Sequence, residues 1–141
     1  QPDAIDALRG RLVPMATVVT PNLPEAELLL DGADPQAWAE QIGVAVLIKD
    51  GHSSGATVRD VLYRPGRLPR ATTHPRRQTR NTHGTGCTLS SAIAAELAKG
   101  RDLPAAVEGA ITYVARLIDG STEHTLGSGK GPLLHGLVGR R

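Results

Sequence analysis

Residues 81–98, which read NTHGTGCTLSSAIAAELA, join a glycine-rich turn to a helix and are the most informative stretch of the chain. Leu89, Ile93 and Leu97 recur at the spacing of one helix face, and Gly100 provides a C-terminal stop. The first N–H groups of such a helix are unpaired, and the helix dipole places partial positive charge there. Because a glycine turn lets a ligand approach those groups closely, the stretch predicts an anion site, most often for phosphate.

Cys87, the single cysteine of the chain, lies in the first turn of this predicted helix. The field at a helix N-terminus favours the thiolate over the thiol. A thiolate there could take the proton of a substrate hydroxyl as a general base in phosphoryl transfer, or act as a nucleophile. The structural alternative is a small buried cysteine that packs beneath the helix. A zinc site formed with His83 is disfavoured, because no second pair of ligands has matching spacing.

Elsewhere in the chain, apolar runs over 16–20 and 44–48 predict buried strands. A strand is expected over 57–63, and a hairpin or loop over 64–80. Helical spacing predicts helices over 3–13, 22–30, 35–42 and 104–118, and the last twenty residues are expected to be irregular. Strands that alternate with helices predict an α/β layered fold with a largely parallel sheet.

The composition is that of a globular protein with one domain's worth of chain, since 40% of the 141 residues are hydrophobic and 21% are charged. No apolar run is long enough for a transmembrane helix, and we recognise no signal peptide, so no membrane partner is expected. A single cysteine excludes an intramolecular disulfide framework and indicates a reducing compartment, hence the cytoplasm.

Positive charge is concentrated in residues 64–80, which contain six arginines, one histidine and no acidic residue. A solvated hairpin is the simplest interpretation, and an electropositive rim near a phosphate site is the functional one. Nucleic-acid binding is not expected, because the net charge is only +2 and the run contains no aromatic residue for base stacking.

Four segments, in order, resemble the bacterial hydroxymethylpyrimidine/phosphomethylpyrimidine kinases of thiamine biosynthesis, which belong to the ribokinase-like superfamily. They are TPNLPEAE at 20–27, LIKDGH at 47–52, HGTGCT within 81–90, and GPLLH at 131–135. Asp50 departs from the family, which often has glycine there. The resemblance implies the C-terminal part of a ribokinase-like three-layer α/β/α fold with a mostly parallel sheet. Residues 1–141 would then be a single but incomplete domain that lacks its N-terminal half.

The resemblance also implies roles for the site residues. Cys87 matches the catalytic base, and the backbone of Gly84, Thr85 and Gly86 matches the anion hole for the transferred phosphoryl group. Nucleotide binding falls to Asn22, Lys49, Thr82, Gly84 and Gly86, and Mg²⁺ binding to Thr20 and Glu25. Taken singly, Asn22 could be only a helix cap, Glu25 only a first-turn acid, and Lys49 only a solvated strand end.

The expected function is ATP-dependent phosphorylation of 4-amino-5-hydroxymethyl-2-methylpyrimidine and its monophosphate, with ATP and Mg²⁺ as implied cofactors. A pyridoxal kinase of the cysteine type is the alternative within the same class. A truncated chain that binds nucleotide or a partner without turnover is the alternative outside it. An incomplete sheet would expose apolar surface, so we expect either a homo-oligomer or a missing N-terminal half that covers it.

Overall fold

The computed structural model describes residues 2–51 and 55–137, so His52 of the second motif lies outside the described residues. The chain divides into two compact units, Gln1–Arg76 and Arg77–Arg141. The first unit combines strands with helices, and the second is helical. The α/β class is therefore confirmed, while the assignment of one domain over 1–141 stays a prediction.

The first unit is built on a four-stranded sheet in the order β1-β2-β3-β4, formed by Val18–Val19, Ala45–Ile48, Thr57–Arg64 and Arg67–Pro75. β1 and β2 are parallel, with Val18 opposite Ala45. β3 runs antiparallel to β2, and β4 runs antiparallel to β3. The sheet is thus mixed, because the hairpin turn at Pro65 and Gly66 can close only an antiparallel pair.

Three helical segments accompany this sheet. α1 spans Pro2–Ala7 and continues as a π-helical turn over Leu8–Leu12 and a 3-10 turn over Val13–Met15. α2 spans Leu23–Leu30, and α3 spans Pro35–Ile42. The side chains of Asn22 and Asp34 cap α2 and α3, so the predicted starts of both helices are confirmed.

One apolar cluster holds the first unit together. All four residues of β2 are buried, as expected for a strand with neighbours on both sides. Val46 and Ile48 of this strand contribute to a cluster with residues of α2, α3 and the turn before β1: Val13, Ala26, Leu29, Leu30, Trp38 and Ala39. This burial, at about 25 cal/mol per Å² of apolar surface, is the main stabilising term of the unit.

The strand β3, next to β2, carries a buried carboxylate. Asp60 of β3 is only 5% exposed. Its Oδ1 accepts a hydrogen bond from the Asp50 N–H at 3.0 Å, and its Oδ2 lies 3.3 Å from His74 Nε2 on β4. The hydrogen bond to Asp60 raises the pKa of His74 above its ordinary value of 6.5, although partial burial of the ring acts in the opposite direction.

The arginines of 64–80 are not uniformly solvated. Arg76 is partly buried, and its guanidinium donates to the carbonyl oxygens of Asp50, Gly51 and Gly55. In the second unit, the Arg77 guanidinium pairs with Asp119 at 2.6 Å, and Arg80 donates to the Ser128 carbonyl. Part of this positive charge therefore serves to fix loops.

The second unit is a pair of packed helices, α4 over Thr85–Ala98 and α5 over Leu103–Ser121, followed by a 3-10 turn at His135–Leu137. The Asp102 side chain caps α5 by accepting from the Ala105 N–H at 2.8 Å. Leu89 and Ile93 are the buried residues of α4. The buried stripe of α5 contains the residues that sequence spacing predicted: Val107, Ala110, Ile111, Val114 and Leu117.

Asn81 ties the start of this unit to its end. Its side-chain nitrogen donates to the carbonyl oxygens of Ser121 and His124, the latter at 2.7 Å. The Gly131 N–H donates to the Arg80 carbonyl, and the Gly131 carbonyl accepts from the His83 N–H, each at 3.1 Å. Gly131 therefore lies directly against Asn81, and a Cβ there would overlap the Asn81 amide oxygen.

Among the described residues, none of the helices combines the length and the apolar character needed to cross a bilayer.

The His74–Asp60 pair predicts a pH-dependent contribution to stability. Because the folded-state pKa of His74 is raised, protonated His74 stabilises the fold fully below the unfolded-state value and loses this effect as pH rises through the folded-state value. The Tm difference between wild type and His74→Gln should therefore be largest below pH 6.5 and shrink above it. Thermal unfolding across this pH range measures the difference, and a constant gap would contradict the prediction.

The contact between Gly131 and Asn81 predicts that Gly131→Ala is destabilising. The Asn81 amide cannot move aside without losing its bonds to two carbonyl groups, so we expect a loss of about 1–3 kcal/mol, the range for overpacking. Gly129→Ala is the matched control, because a Cβ at Gly129 meets no atom within 4 Å. Urea unfolding compares the two variants, and equal free energies of unfolding would show that the contact is unimportant.

Candidate active site

The carboxyl ends of β1 and β2 bring three of the predicted site residues together. Thr20 follows β1, and Lys49 follows β2. The Lys49 N–H donates to the Pro21 carbonyl at 3.0 Å, and Asn22 and Lys49 form an isolated parallel bridge. Thr20, Asn22 and Lys49 therefore lie at the edge of the parallel pair where open α/β sheets bind ligands.

Asn22 and Glu25 form a reciprocal cap on α2. Asn22 Oδ1 accepts from the Glu25 N–H at 2.9 Å, and Glu25 Oε2 accepts from the Asn22 N–H at 2.8 Å. The alternative role as a helix cap is thus a structural fact for Asn22. The cap also holds the Glu25 carboxylate at the N-terminus of α2. Glu25 is exposed to solvent at this position.

The oxygen atoms of Thr20, Asn22 and Glu25 suit a Mg²⁺ ion that is held in part by water and substrate phosphates. Oxygen ligands are what Mg²⁺ prefers, and the ion usually keeps several waters and is held by one or two carboxylates together with substrate phosphates. Residues 2–51 and 55–137 contain no cluster of three or more His, Cys, Asp or Glu side chains that could form a protein cage. The exposed Glu25 carboxylate, with Thr20 nearby in the chain, suits a Mg²⁺ ion that keeps several waters and is held together with substrate phosphates.

The second group of predicted residues surrounds the start of α4. Gly84 has φ 84° and ψ 0°, a left-handed conformation that glycine adopts without strain, and no side chain caps the helix. The Thr85 and Thr88 hydroxyls donate to the carbonyl oxygens of Thr82 and Gly84 respectively. Thus these hydroxyls brace the turn. The Thr85 N–H donates to the Thr82 carbonyl at 3.4 Å, and the N–H groups of Gly86 and Cys87, without a side-chain cap, are of the kind that bind anions.

Cys87 is exposed and free, so the interpretation as a buried packing residue is wrong. Its side chain borders a cavity of about 520 Å³ between α4 and α5. The cavity is also lined by Ser91, Glu96, Tyr113 and His135. An exposed thiol that lines a cavity and lies in the first turn of a helix is accessible both to a small molecule in the cavity and to an anion at the helix N-terminus.

The two residues that support these groups, Asn81 and Asp60, were not predicted from the sequence. Asn81 is buried and anchors the glycine turn to residues 121–131, and Asp60 holds the peptide after Lys49. Both are polar residues among buried neighbours, which is the feature that distinguishes them in the structure. Their partners are distant in sequence, so spacing alone contains no signal for them.

The predicted residues therefore form two groups. Thr20, Asn22, Glu25 and Lys49 belong to the first unit, and Thr82 to Cys87 belong to the second. Each group is internally ordered by backbone hydrogen bonds that its own unit supplies.

Comparison with known proteins identifies relatives of the whole chain. The family model described as phosphomethylpyrimidine kinase matches residues 1–134. A hydroxymethylpyrimidine/phosphomethylpyrimidine kinase of Rhizobium meliloti is 43% identical over 96% of this chain and 54% of its own length. The protein of that name from Streptomyces coelicolor is 42% identical over 94% of this chain and 51% of its own length. The chain thus spans about half the length of the curated relatives it matches.

Solved structures with the same fold include pyridoxal kinases. The Staphylococcus aureus enzyme in complex with ADP has a TM-score of 0.86 and 31% identity, over 99% of this chain and 54% of that one. The Bacillus subtilis pyridoxal kinase, also an ADP complex, has a TM-score of 0.82 and 34% identity, over 97% and 54% of the two chains. The ribokinase-like fold expected from the sequence is therefore confirmed.

The match of the family model to residues 1–134, together with the sequence relatives that share its name, shows that this chain belongs to the phosphomethylpyrimidine kinase family.

Proposed function

We propose that this chain supplies the nucleotide-binding and catalytic half of an ATP-dependent kinase. The acceptors are 4-amino-5-hydroxymethyl-2-methylpyrimidine and its monophosphate, and the reaction belongs to thiamine biosynthesis in the cytoplasm. The observation that carries the proposal is the exposed Cys87 in the first turn of a helix that begins at a left-handed glycine without a side-chain cap. The sequence relatives that share these acceptors in their names support the choice of substrate.

The first turn of α4 acts as an anion hole for the transferred phosphoryl group. Negative charge spreads over the equatorial oxygens of that group during transfer, and fixed N–H groups stabilise it without reorganisation. The left-handed Gly84 and the small Gly86 allow the phosphate to approach the backbone closely. Thr82 lies next to this turn and accepts from the Thr85 hydroxyl through its carbonyl, which helps to keep the loop in shape.

Cys87 acts as the general base toward the hydroxymethyl acceptor. A new bond forms between the acceptor oxygen and the γ-phosphorus, the bond between that phosphorus and the β–γ bridging oxygen breaks, and ADP leaves. The hydroxyl proton passes to the Cys87 sulfur. This role requires a sulfur that a substrate can reach, and Cys87 is exposed beside the cavity between α4 and α5.

The first unit has its own set of groups that suit ATP phosphates. Lys49 places a positive charge at the carboxyl end of β2, and Asn22 lies opposite it in the parallel bridge. Glu25 and Thr20 would hold Mg²⁺, in part through water. When bound, this ion supplies charge neutralisation between the phosphate groups. The capping box keeps Asn22 and Glu25 in a fixed geometry before nucleotide arrives.

A pyridoxal kinase is the second candidate, because several solved structures similar to this chain are pyridoxal kinases. The Staphylococcus aureus pyridoxal kinase in complex with AMP-PCP and pyridoxal has a TM-score of 0.85 over 99% of this chain. Turnover of the hydroxymethylpyrimidine and of pyridoxal, measured side by side with the natural protein that carries this sequence expressed in full, decides between them. Preference for pyridoxal would replace the proposed acceptor.

The general-base role predicts that Cys87→Ala lowers kcat by about 10²–10⁴-fold, the usual contribution of a positioned acid or base. The dissociation constant for ATP should change by less than about threefold, because the N–H groups of the first turn are backbone groups. Phosphoryl transfer from labelled ATP measures kcat, and calorimetry measures ATP binding.

The control for this prediction is Thr112→Ala, which removes an exposed hydroxyl of α5 that donates to the Glu108 carbonyl within the same helix. It should leave kcat unchanged. If Cys87→Ala retained more than about a tenth of the wild-type kcat, proton removal by the sulfur would be ruled out as a major catalytic term.

A further inference from the structure

The turn that follows β2 is held in place by side chains of the β3–β4 hairpin and of the residue that follows it. The Asp50 N–H donates to Asp60 Oδ1 at 3.0 Å. The Asp50 carbonyl accepts from Arg76 Nη2 at 3.3 Å, and the Gly51 carbonyl accepts from Arg76 Nη1 at 2.8 Å. Both polar groups of the Asp50 backbone are therefore bonded to side chains.

Hydrogen bonds hold the backbone at Lys49 and at the residue that follows it. On one side, the Lys49 N–H is held by the Pro21 carbonyl at 3.0 Å, which joins it to the loop that carries Asn22. On the other side, the peptide that follows is held by Asp60 and Arg76. The Lys49 backbone thus has little freedom, and only its side-chain torsions remain to be ordered when a ligand binds.

Asp60 is an unusual choice of residue for its position. It is 5% exposed, and its strand neighbours Val58, Val61 and Leu62 are buried. A buried carboxylate destabilises a fold unless its oxygens are bonded, and an apolar residue would have served the sheet better. Both oxygens have partners here, the Asp50 N–H and the His74 ring. A locally unfavourable residue with fixed partners is expected where function requires it.

We propose, resting on the assigned role of Lys49 in nucleotide binding, that Asp60 is a positioning residue that fixes the Lys49–Asp50 turn so that the Lys49 ammonium meets the ATP phosphates. Asp60 does not touch substrate and acts through the Asp50 peptide. Arg76 holds the same turn by donating to the Asp50 and Gly51 carbonyl groups. Because a displacement of about 1 Å at a positioned group lowers the rate by up to about 10²-fold, such indirect support has a measurable effect.

The test compares Asp60→Ala, Asp60→Asn and the control Arg59→Ala in the natural protein that carries this sequence, expressed in full. Arg59 is exposed on the same strand and lies opposite Thr73, so its removal leaves the turn intact. We expect Asp60→Ala to raise the KM for ATP by about tenfold and to change the KM for the pyrimidine by less than about twofold. Asp60→Asn keeps an oxygen that can accept from the Asp50 N–H, so it should restore most of the affinity.

A merely structural role of Asp60 would have a different signature. It would lower the Tm and the fraction of active enzyme, and so reduce kcat without changing the KM for ATP. That result, or failure of Asp60→Asn to restore the KM relative to Asp60→Ala, would overturn the inference. Equal effects of Asp60→Ala and Arg59→Ala would overturn it as well.

A double-mutant cycle tests whether Asp60 acts through Lys49. If Lys49→Ala alone raises the KM for ATP, adding Asp60→Ala to it should cause little further change, because the side chain to be positioned is already absent. Effects that multiply in the double variant would show that Asp60 acts by another route.

Amide hydrogen exchange provides a readout that does not depend on activity. The Asp50 N–H should exchange faster in Asp60→Ala than in wild type, since it loses its acceptor, and Arg59→Ala should leave it unchanged. Unchanged exchange would overturn the inference. Absence of ATP-dependent transfer by the wild-type protein would overturn the proposed function together with this inference. Wild-type transfer with an unaltered KM for ATP in Asp60→Ala would overturn this inference alone.

Discussion

The uncapped start of α4 is the constraint on which the second unit depends. A left-handed glycine at the N-cap leaves the first-turn N–H groups without a side-chain partner, which is unfavourable unless an anion or water approaches them. Several hydrogen bonds hold this turn in place. The hydroxyls of Thr85 and Thr88 donate to carbonyl groups of the turn, and the Asn81 side chain, just before it, donates to the His124 carbonyl. The same feature that weakens the helix locally makes it suitable for binding phosphate.

The first unit solves the equivalent problem at α2 in the opposite way. There the Asn22 and Glu25 side chains satisfy the helix N-terminus reciprocally, so this helix needs no ligand to complete it. The cap nevertheless places an amide and a carboxylate at the carboxyl edge of the parallel strands, beside Lys49. A structural motif and a proposed binding motif therefore share the same residues, and a substitution at either one affects folding and nucleotide binding together.

Two buried polar side chains order the loops next to the proposed site residues. Asp60 and Asn81 are each 5% exposed, and each bonds a backbone group of a loop: Asp60 accepts from the Asp50 N–H, and Asn81 donates to the His124 carbonyl. Loops of glycine and small polar residues do not order themselves, because their conformational entropy is high. A buried side chain with fixed partners supplies that order. In this chain such side chains support the loop that follows Lys49 and the glycine turn that precedes Cys87.

The local elements and the family could be predicted from the amino-acid sequence alone. Helix spacing and capping residues predicted α2 to α5, apolar runs predicted β2, and the glycine turn predicted the start of α4, because all of these depend on neighbours within a few residues. Tertiary structure decided that β3 and β4 join the sheet antiparallel, that Arg76 is a structural rather than a solvated charge, and that Asn81 faces Gly131. These pairings join residues far apart in the chain, and only the folded backbone determines which distant groups meet, so no spacing in the sequence records them.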